Sequence, residues 1–301
     1  MARVMTTASA PTTDLSFPLA FGALVLGAMA MGISPVFVRE AGVGPFASAF
    51  WRVALALPVL FAWAWAEARR GRRALSPAFD GSILLVGLFF AGDLFFWHLA
   101  ILNTSIANAT FLACLAPVWV LLLSNVSLGE PVGREAALGL LFCLAGAALL
   151  IGLNFAARPD RVLGDVYGVA TSFFFGLYFL AVRRARRDHG AGALTLKATA
   201  ITAIVLLAVA LALETRLWPG DGRGIASLVA LGVLSHSGGQ GLLAVALGSL
   251  SAVFSSLVIF IEAVAAAVFA WIFADEPLTP LQGVGGALIM LGIWIARPRS
   301  A

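Results

Sequence analysis

Charge is scarce in this sequence: only 11% of its residues are Asp, Glu, Lys or Arg, against about a quarter in an ordinary globular domain. With 61% hydrophobic residues, the chain has too little polar surface for water, and the solvent that suits it is lipid. Cysteine is nearly missing too. Cys114 and Cys143 both lie inside apolar runs, which excludes a disulfide framework or a thiolate metal site and leaves them as small core residues. No Walker motif, H-E-x-x-H pair or serine elbow occurs, so no cofactor, metal or direct use of ATP is expected. The excess of 19 Lys plus Arg over 15 Asp plus Glu does not point to nucleic acid, because the basic residues sit in short loops where the positive-inside rule accounts for them.

What the chain does have is a copy of itself. Ala100 to Pro131 and Ala246 to Pro277 superpose at a constant shift of 146 residues, pairing Ser105 with Ser251, Glu130 with Glu276 and Pro131 with Pro277. The register continues through Gly139 on Gly285 and Gly146 on Gly292. Repetition at half the chain length marks a duplicated unit.

At about 20 apolar residues per span, ten transmembrane helices are predicted, near 17–38, 45–66, 81–101, 105–125, 134–154, 163–183, 194–214, 224–244, 250–273 and 280–297. The first repeat then covers 17–155 and the second 156–297, with a cytoplasmic tail at 1–16, no cleaved signal peptide, and a short tail at 298–301. The uncharged joints near Leu102–Thr104 and Gly248–Ser249 are tight enough to force antiparallel hairpins. Placing both termini in the cytoplasm puts twelve basic residues inside against five outside. Five spans per copy is an odd number, so the second copy enters the membrane from the opposite face. The fold class is therefore an all-α integral membrane protein of two inverted five-helix repeats around a central cavity, an arrangement that supports alternating access to a midplane site.

The hairpin signature, A-[IL]-x-x-[TL]-S followed twelve residues later by Pro117 and thirteen after that by Glu130–Pro131, resembles the EamA repeat of the drug/metabolite transporter superfamily. Arg52 resembles the basic residue of that family's second helix. In the second copy Ala263 stands where the family often has proline, and Glu262 supplies the acidic residue often found before it. The resemblance implies a carrier in which helices one, three and four of each repeat line a cavity. It also implies bacterial inner-membrane relatives that mostly export amino acids and other small metabolites.

Glu262 falls mid-span, where an ionised carboxylate costs about 2.5–3.5 kcal/mol even on the gentler insertion scales. It reads either as a cavity group binding a substrate ammonium or a proton, or as a protonated carboxyl tying helices together. Asp93 shares a helical face with Phe90, Trp97 and Ile101, and a lipid-facing stripe would not carry an aspartate. His236 and Gln240, four residues apart on the matching helix, share a face and serve a pocket or helix-to-helix hydrogen bonding, with His236 a possible proton site. Aligning helices one and six through Arg39 and Arg183 sets Met31 opposite Phe175 and Ser34 opposite Tyr178, all expected to look inward. Pro35 is read as a kink. His98 lies off the Asp93 stripe, and Arg52 and Lys197 read as snorkelling or pairing residues, not substrate contacts. The glycine pairs read as close-packing positions.

These features predict a secondary carrier of small amphipathic molecules, embedded in the bilayer, with rings for the apolar part and carboxylates for the ammonium. Proton coupling and simple facilitation are both open at this point. An intramembrane aspartyl protease using Asp93 and Glu262 is a poor match, because Phe90–Ala91–Gly92 precede Asp93 in place of Gly-x-Gly. A scaffold fits poorly with such short loops. No enzymatic role is expected.

Overall fold

The computed structural model describes residues 15–71, 78–104, 106–151, 162–274 and 278–298. Most of the N-terminal tail, Ser105, Glu276, Pro277 and the last three residues lie outside these segments. Every element among the described residues is helical. Eight helices there are long and apolar enough to cross a membrane, beginning with Phe17–Val38 and ending with Ala252–Phe269. Beside them stand α8 (Arg134–Ile151) and the shorter α15 (Pro280–Ala296). Their outer faces remain apolar: Val126 is 87% exposed and Ile204 71%, a surface that suits lipid and not water.

Four of the long rods are broken part-way. The first runs as α1 (Phe17–Gly32) and α2 (Ser34–Glu40), the second as α3 (Pro45–Ala54) and α4 (Leu57–Arg70). The fourth runs as α6 (Ile106–Ala113) and α7 (Ala116–Leu128). Pro35, Pro58 and Pro117 each follow their break closely, where a missing N–H and a bulky ring forbid the ordinary helical bond. The chain crosses two breaks on shorter three-residue bonds, Val36 N–H to the Ile33 carbonyl at 3.1 Å and Val118 N–H to Leu115 at 2.9 Å. The ninth rod, α13 (Ala252–Val258) and α14 (Ile261–Ala274), breaks without a proline.

The unbroken rods are α5 (Gly81–Asn103), α9 (Val162–Ala185) and α10 (Ala191–Leu213). The remaining rod opens as α11 (Gly222–Ala230), widens into a π-helical segment at Leu231–Gln240, and closes as α12 (Gly241–Ala246). A π-helix shifts the register by carrying its bonds to i+5, and such segments gather at functional sites. Gly129, at φ +71°, ends α7 in the left-handed conformation that glycine adopts without penalty, and so delivers Glu130 to the end of the bundle.

The two copies meet in mirrored pairs. α5 packs on α9, and the π segment and α12 pack on α1. The last helices of the two copies, α8 and α15, run antiparallel: Gly139 lies against Gly292 and Gly146 against Gly285. Repeat-equivalent residues are Gly139 and Gly285, so the crossed pairing follows from opposite chain directions. A Cβ at Gly146 or at Gly285 would come within 2.5 Å and 2.6 Å of the facing glycine's carbonyl oxygen, so small residues set this approach.

A second mirrored device joins α3–α4 to α10. Glu214, just past the end of α10, accepts from the N–H groups of Phe46 (2.5 Å) and Ala47 (3.1 Å) at the start of α3. Glu67, near the end of α4, accepts from Ala193 N–H at the start of α10 (3.2 Å). Each helix thus places a carboxylate on the positive N-terminal end of the other, which only antiparallel neighbours can do reciprocally. The described basic residues Arg69, Arg70, Arg134, Arg183, Arg184, Arg186, Arg187 and Arg297 follow rods that finish or begin at one end of the bundle, hereafter the basic end.

Candidate functional site

Broken rods place short helix ends at mid-depth, and there they enclose a cavity of about 130 Å³. Both copies supply its wall: Met31, Ser34 and Pro35 beside the first break, Ala113, Cys114 and Pro117 beside the fourth, and Ile259, Phe260, Glu262 and Ala263 beside the ninth. Phe90, Asp93 and Trp97 come from α5, Thr171 and Phe175 from α9, and Gln240 from the end of the π segment. Phe90, Asp93 and Trp97 of the predicted stripe therefore share this wall with Glu262. Asp93 is 8% exposed, and neither carboxylate has a hydrogen bond or ion pair to the protein among the described residues.

Arg52 is the residue that sequence reasoning set aside and the structure places in this wall. It is 7% exposed and does not snorkel, because α3 is wedged against α5, α10 and the π segment and leaves the side chain no path to an interface. Asp93 and Glu262 both act on its charge. Its Nε and the Thr171 hydroxyl are buried and have no hydrogen-bond partner within the described residues. Nothing in sequence spacing singles out Thr171. Lys197, by contrast, does reach an end, donating to the Ala78 carbonyl at 2.6 Å.

Tyr178 and His236 lie outside the main cavity, in a small adjoining pocket of about 10 Å³ shared with Phe90 and Gln240. The Tyr178 hydroxyl donates to Gln240 Oε1 (3.0 Å), and Gln240 Nε2 donates to Met31 Sδ (3.2 Å). His236 Nε2 pairs with the Thr199 hydroxyl at 2.9 Å, while its Nδ1 is buried and unpartnered. Gln240 lines both pockets, whereas His236 lines the smaller one and bonds to α10 through Thr199. His98 is bonded through Nδ1 to the Leu94 carbonyl at 2.6 Å and stays outside both pockets. Ile101's side chain lies outside what the structure describes.

The basic end carries ties between the two copies. Arg183 binds Glu130 at 2.8 Å and donates to the Leu247 and Gly248 carbonyls at 3.0 and 3.1 Å. The other carboxylate oxygen of Glu130 accepts from Ala252 N–H at 2.9 Å. Beneath these ties Phe17, Phe21 and Phe254 stack with ring centroids 5.8 to 6.0 Å apart.

An aromatic, acid-bearing hollow thus lies between two inverted halves. The EamA-like transporter family matches residues 19–152 and again 162–297. The chain belongs to the EamA-like transporter family. This EamA protein is 25% identical over 277 residues to an uncharacterised transporter of Archaeoglobus fulgidus, covering 91% of this chain and 94% of that one. It is 29% identical over 223 residues to a pseudopaline exporter of Pseudomonas aeruginosa, covering 74% and 77%. A crystal structure of a protein 19% identical to it superposes with a TM-score of 0.81 over 93% of this chain and 97% of that one, a likeness of fold. The EamA protein is thus a multi-pass membrane transporter whose family fold consists of two repeats.

Proposed function

We propose that this EamA protein is a secondary carrier that exports amino acids or similarly small amphipathic metabolites across a bacterial inner membrane by alternating access, with both termini cytoplasmic. Ten spans form two inverted units, 17–155 and 156–297, that rock about the chamber between them. The observation that carries this reading is the enclosed cavity itself: two unpaired carboxylates, Asp93 and Glu262, among Phe90, Trp97 and Phe175. Met31, Ser34 and Gln240 complete the contact set, and Tyr178 and His236 support it from the adjoining pocket.

The size of the chamber favours small cargo. About 130 Å³ is well below the roughly 300–1,000 Å³ of sites that hold drug-sized ligands. Carboxylates suit an ammonium, and the rings suit an apolar body with cation–π attraction. The pseudopaline exporter among its relatives favours outward flow. A proton is the alternative occupant of Glu262 or Asp93 and supplies the means of coupling.

Proteoliposomes loaded with labelled amino acids test this directly. Saturable, cargo-selective flux is expected, falling about tenfold or more in Glu262→Gln and in Asp93→Asn, the weight of one hydrogen bond to a charged group. Flux indifferent to both substitutions removes the chamber from the mechanism. Peptide cleavage without flux would replace the carrier with an enzyme.

A further inference from the structure

The carrier reading leaves Arg52 without a task. It stands on the last turn of α3 in the same wall as Asp93 of α5 and Glu262 of α14, and both acids influence its charge. None of the three forms an ion pair among the described residues. A buried guanidinium with an unsatisfied Nε–H is costly unless an acceptor meets it, and its planar fork of donors matches a bidentate oxyanion such as a carboxylate. Neither nearby histidine meets it: among the described residues His98 bonds to the Leu94 carbonyl and His236 to Thr199, and the second nitrogen of each ring makes no hydrogen bond.

Counting charge narrows the cargo further. One guanidinium faces two carboxylates, so a neutral zwitterion satisfies Arg52 and one acid and leaves the other uncompensated, an expensive arrangement at this depth. A ligand with one carboxylate and two ammonium groups cancels all three. We infer that Arg52 anchors the cargo's carboxylate and that the cargo is an amino acid with a second amine. Its α-ammonium and side-chain ammonium take Asp93 and Glu262, and its methylene chain lies against Phe90 and Trp97. This assignment rests on the carrier reading and deepens it.

Three probes of one chain length test it on the purified full-length protein: L-lysine, L-norleucine, which lacks the second amine, and cadaverine, which lacks the carboxylate. Calorimetric affinities should favour L-lysine over each of the others by about tenfold or more. Arg52→Gln should close the gap between L-lysine and cadaverine, and Glu262→Gln the gap between L-lysine and L-norleucine. Arg52→Lys, which keeps the charge and loses the fork, should fall between. If Arg52→Gln does not fold, the charge-balanced Arg52→Gln/Asp93→Asn pair serves, and it too should lose the preference for a carboxylate. A lysine-to-cadaverine ratio unchanged in these variants overturns the anchor. L-Norleucine binding as tightly as L-lysine, with one proton taken up, overturns the second amine and assigns the missing charge to a proton. If none of the three binds, the cargo class is wrong, while flux of a different solute in proteoliposomes would leave the carrier itself standing.

Discussion

In the first copy the rod after the tight hairpin breaks at Cys114–Leu115, just ahead of Pro117; in the second the matching rod breaks at Ile259–Phe260, ahead of Ala263. Proline accounts for the first break, since it has no N–H to give. Ala263 has one, and spends it on a short bond to the Phe260 carbonyl at 3.1 Å, while Glu262 N–H turns to Ile259 at 2.8 Å. The same bend made without proline shows that the surrounding packing fixes it and that Pro117 suits a shape already required. It also shows where the copies have diverged: the residue before the proline position is Ala116 in one and Glu262 in the other, so a symmetric frame carries an asymmetric site.

That contrast can be broken most forcefully at the α8–α15 seam, where symmetry should make the copies equivalent. Gly139→Val and Gly285→Val, at repeat-equivalent positions, are each expected to cost about 1–3 kcal/mol by overpacking, equally within error, as measured by thermal melting in detergent. Unequal costs would mean that the halves are not interchangeable there. The reciprocal caps come next: Glu67→Gln and Glu214→Gln should each lose about 1 kcal/mol, again in step, and their double variant should be additive because the sites are far apart. Exchanging the break residues sharpens the comparison. Ala263→Pro should cost about 0.5–1.5 kcal/mol, the worth of one hydrogen bond, and not the roughly 3 kcal/mol of proline in an intact helix; the larger loss would show that Ala263 belongs to a continuous helix.

The smallest effect is expected at the cap of α5. Asp80 caps α5, accepting from the Ser82 hydroxyl at 2.6 Å and from the Ser82 and Ile83 N–H groups at 2.9 and 3.0 Å. The Ser82 hydroxyl, with help from Ile83 and His189 and against partial desolvation, lowers its carboxyl from 3.8 to about 2. A depressed acid stabilises the folded state above its ordinary value and loses that contribution as pH falls toward the folded one. Melting temperature should therefore decline between about pH 4 and pH 2, less steeply in Asp80→Asn. An unaltered slope in that variant would assign the acid sensitivity to other carboxylates.

Much of this was legible in the chain. Long apolar runs give the rods, the 146-residue shift gives the duplication, and Asp93 with Phe90 and Trp97 gives one inward face by helical spacing alone. Contact partners were less accessible: alignment sets Gly139 on Gly285, whereas the inverted halves press Gly139 on Gly292. Arg52 was hidden because a basic residue two turns from a helix end ordinarily snorkels, and only the wedging of α3 denies it that escape. The π segment was hidden as well, since bonding to i+5 leaves no mark in hydrophobic periodicity.

Glu130 belongs to the first copy, yet both of its oxygens are spent on the second, one on Arg183 and one on the amide of Ala252. A single side chain thus bolts α7 to α9 and to the start of α13. Withdrawing it undoes two ties across the boundary in one event, so one carboxylate couples three rods of the bundle at this end.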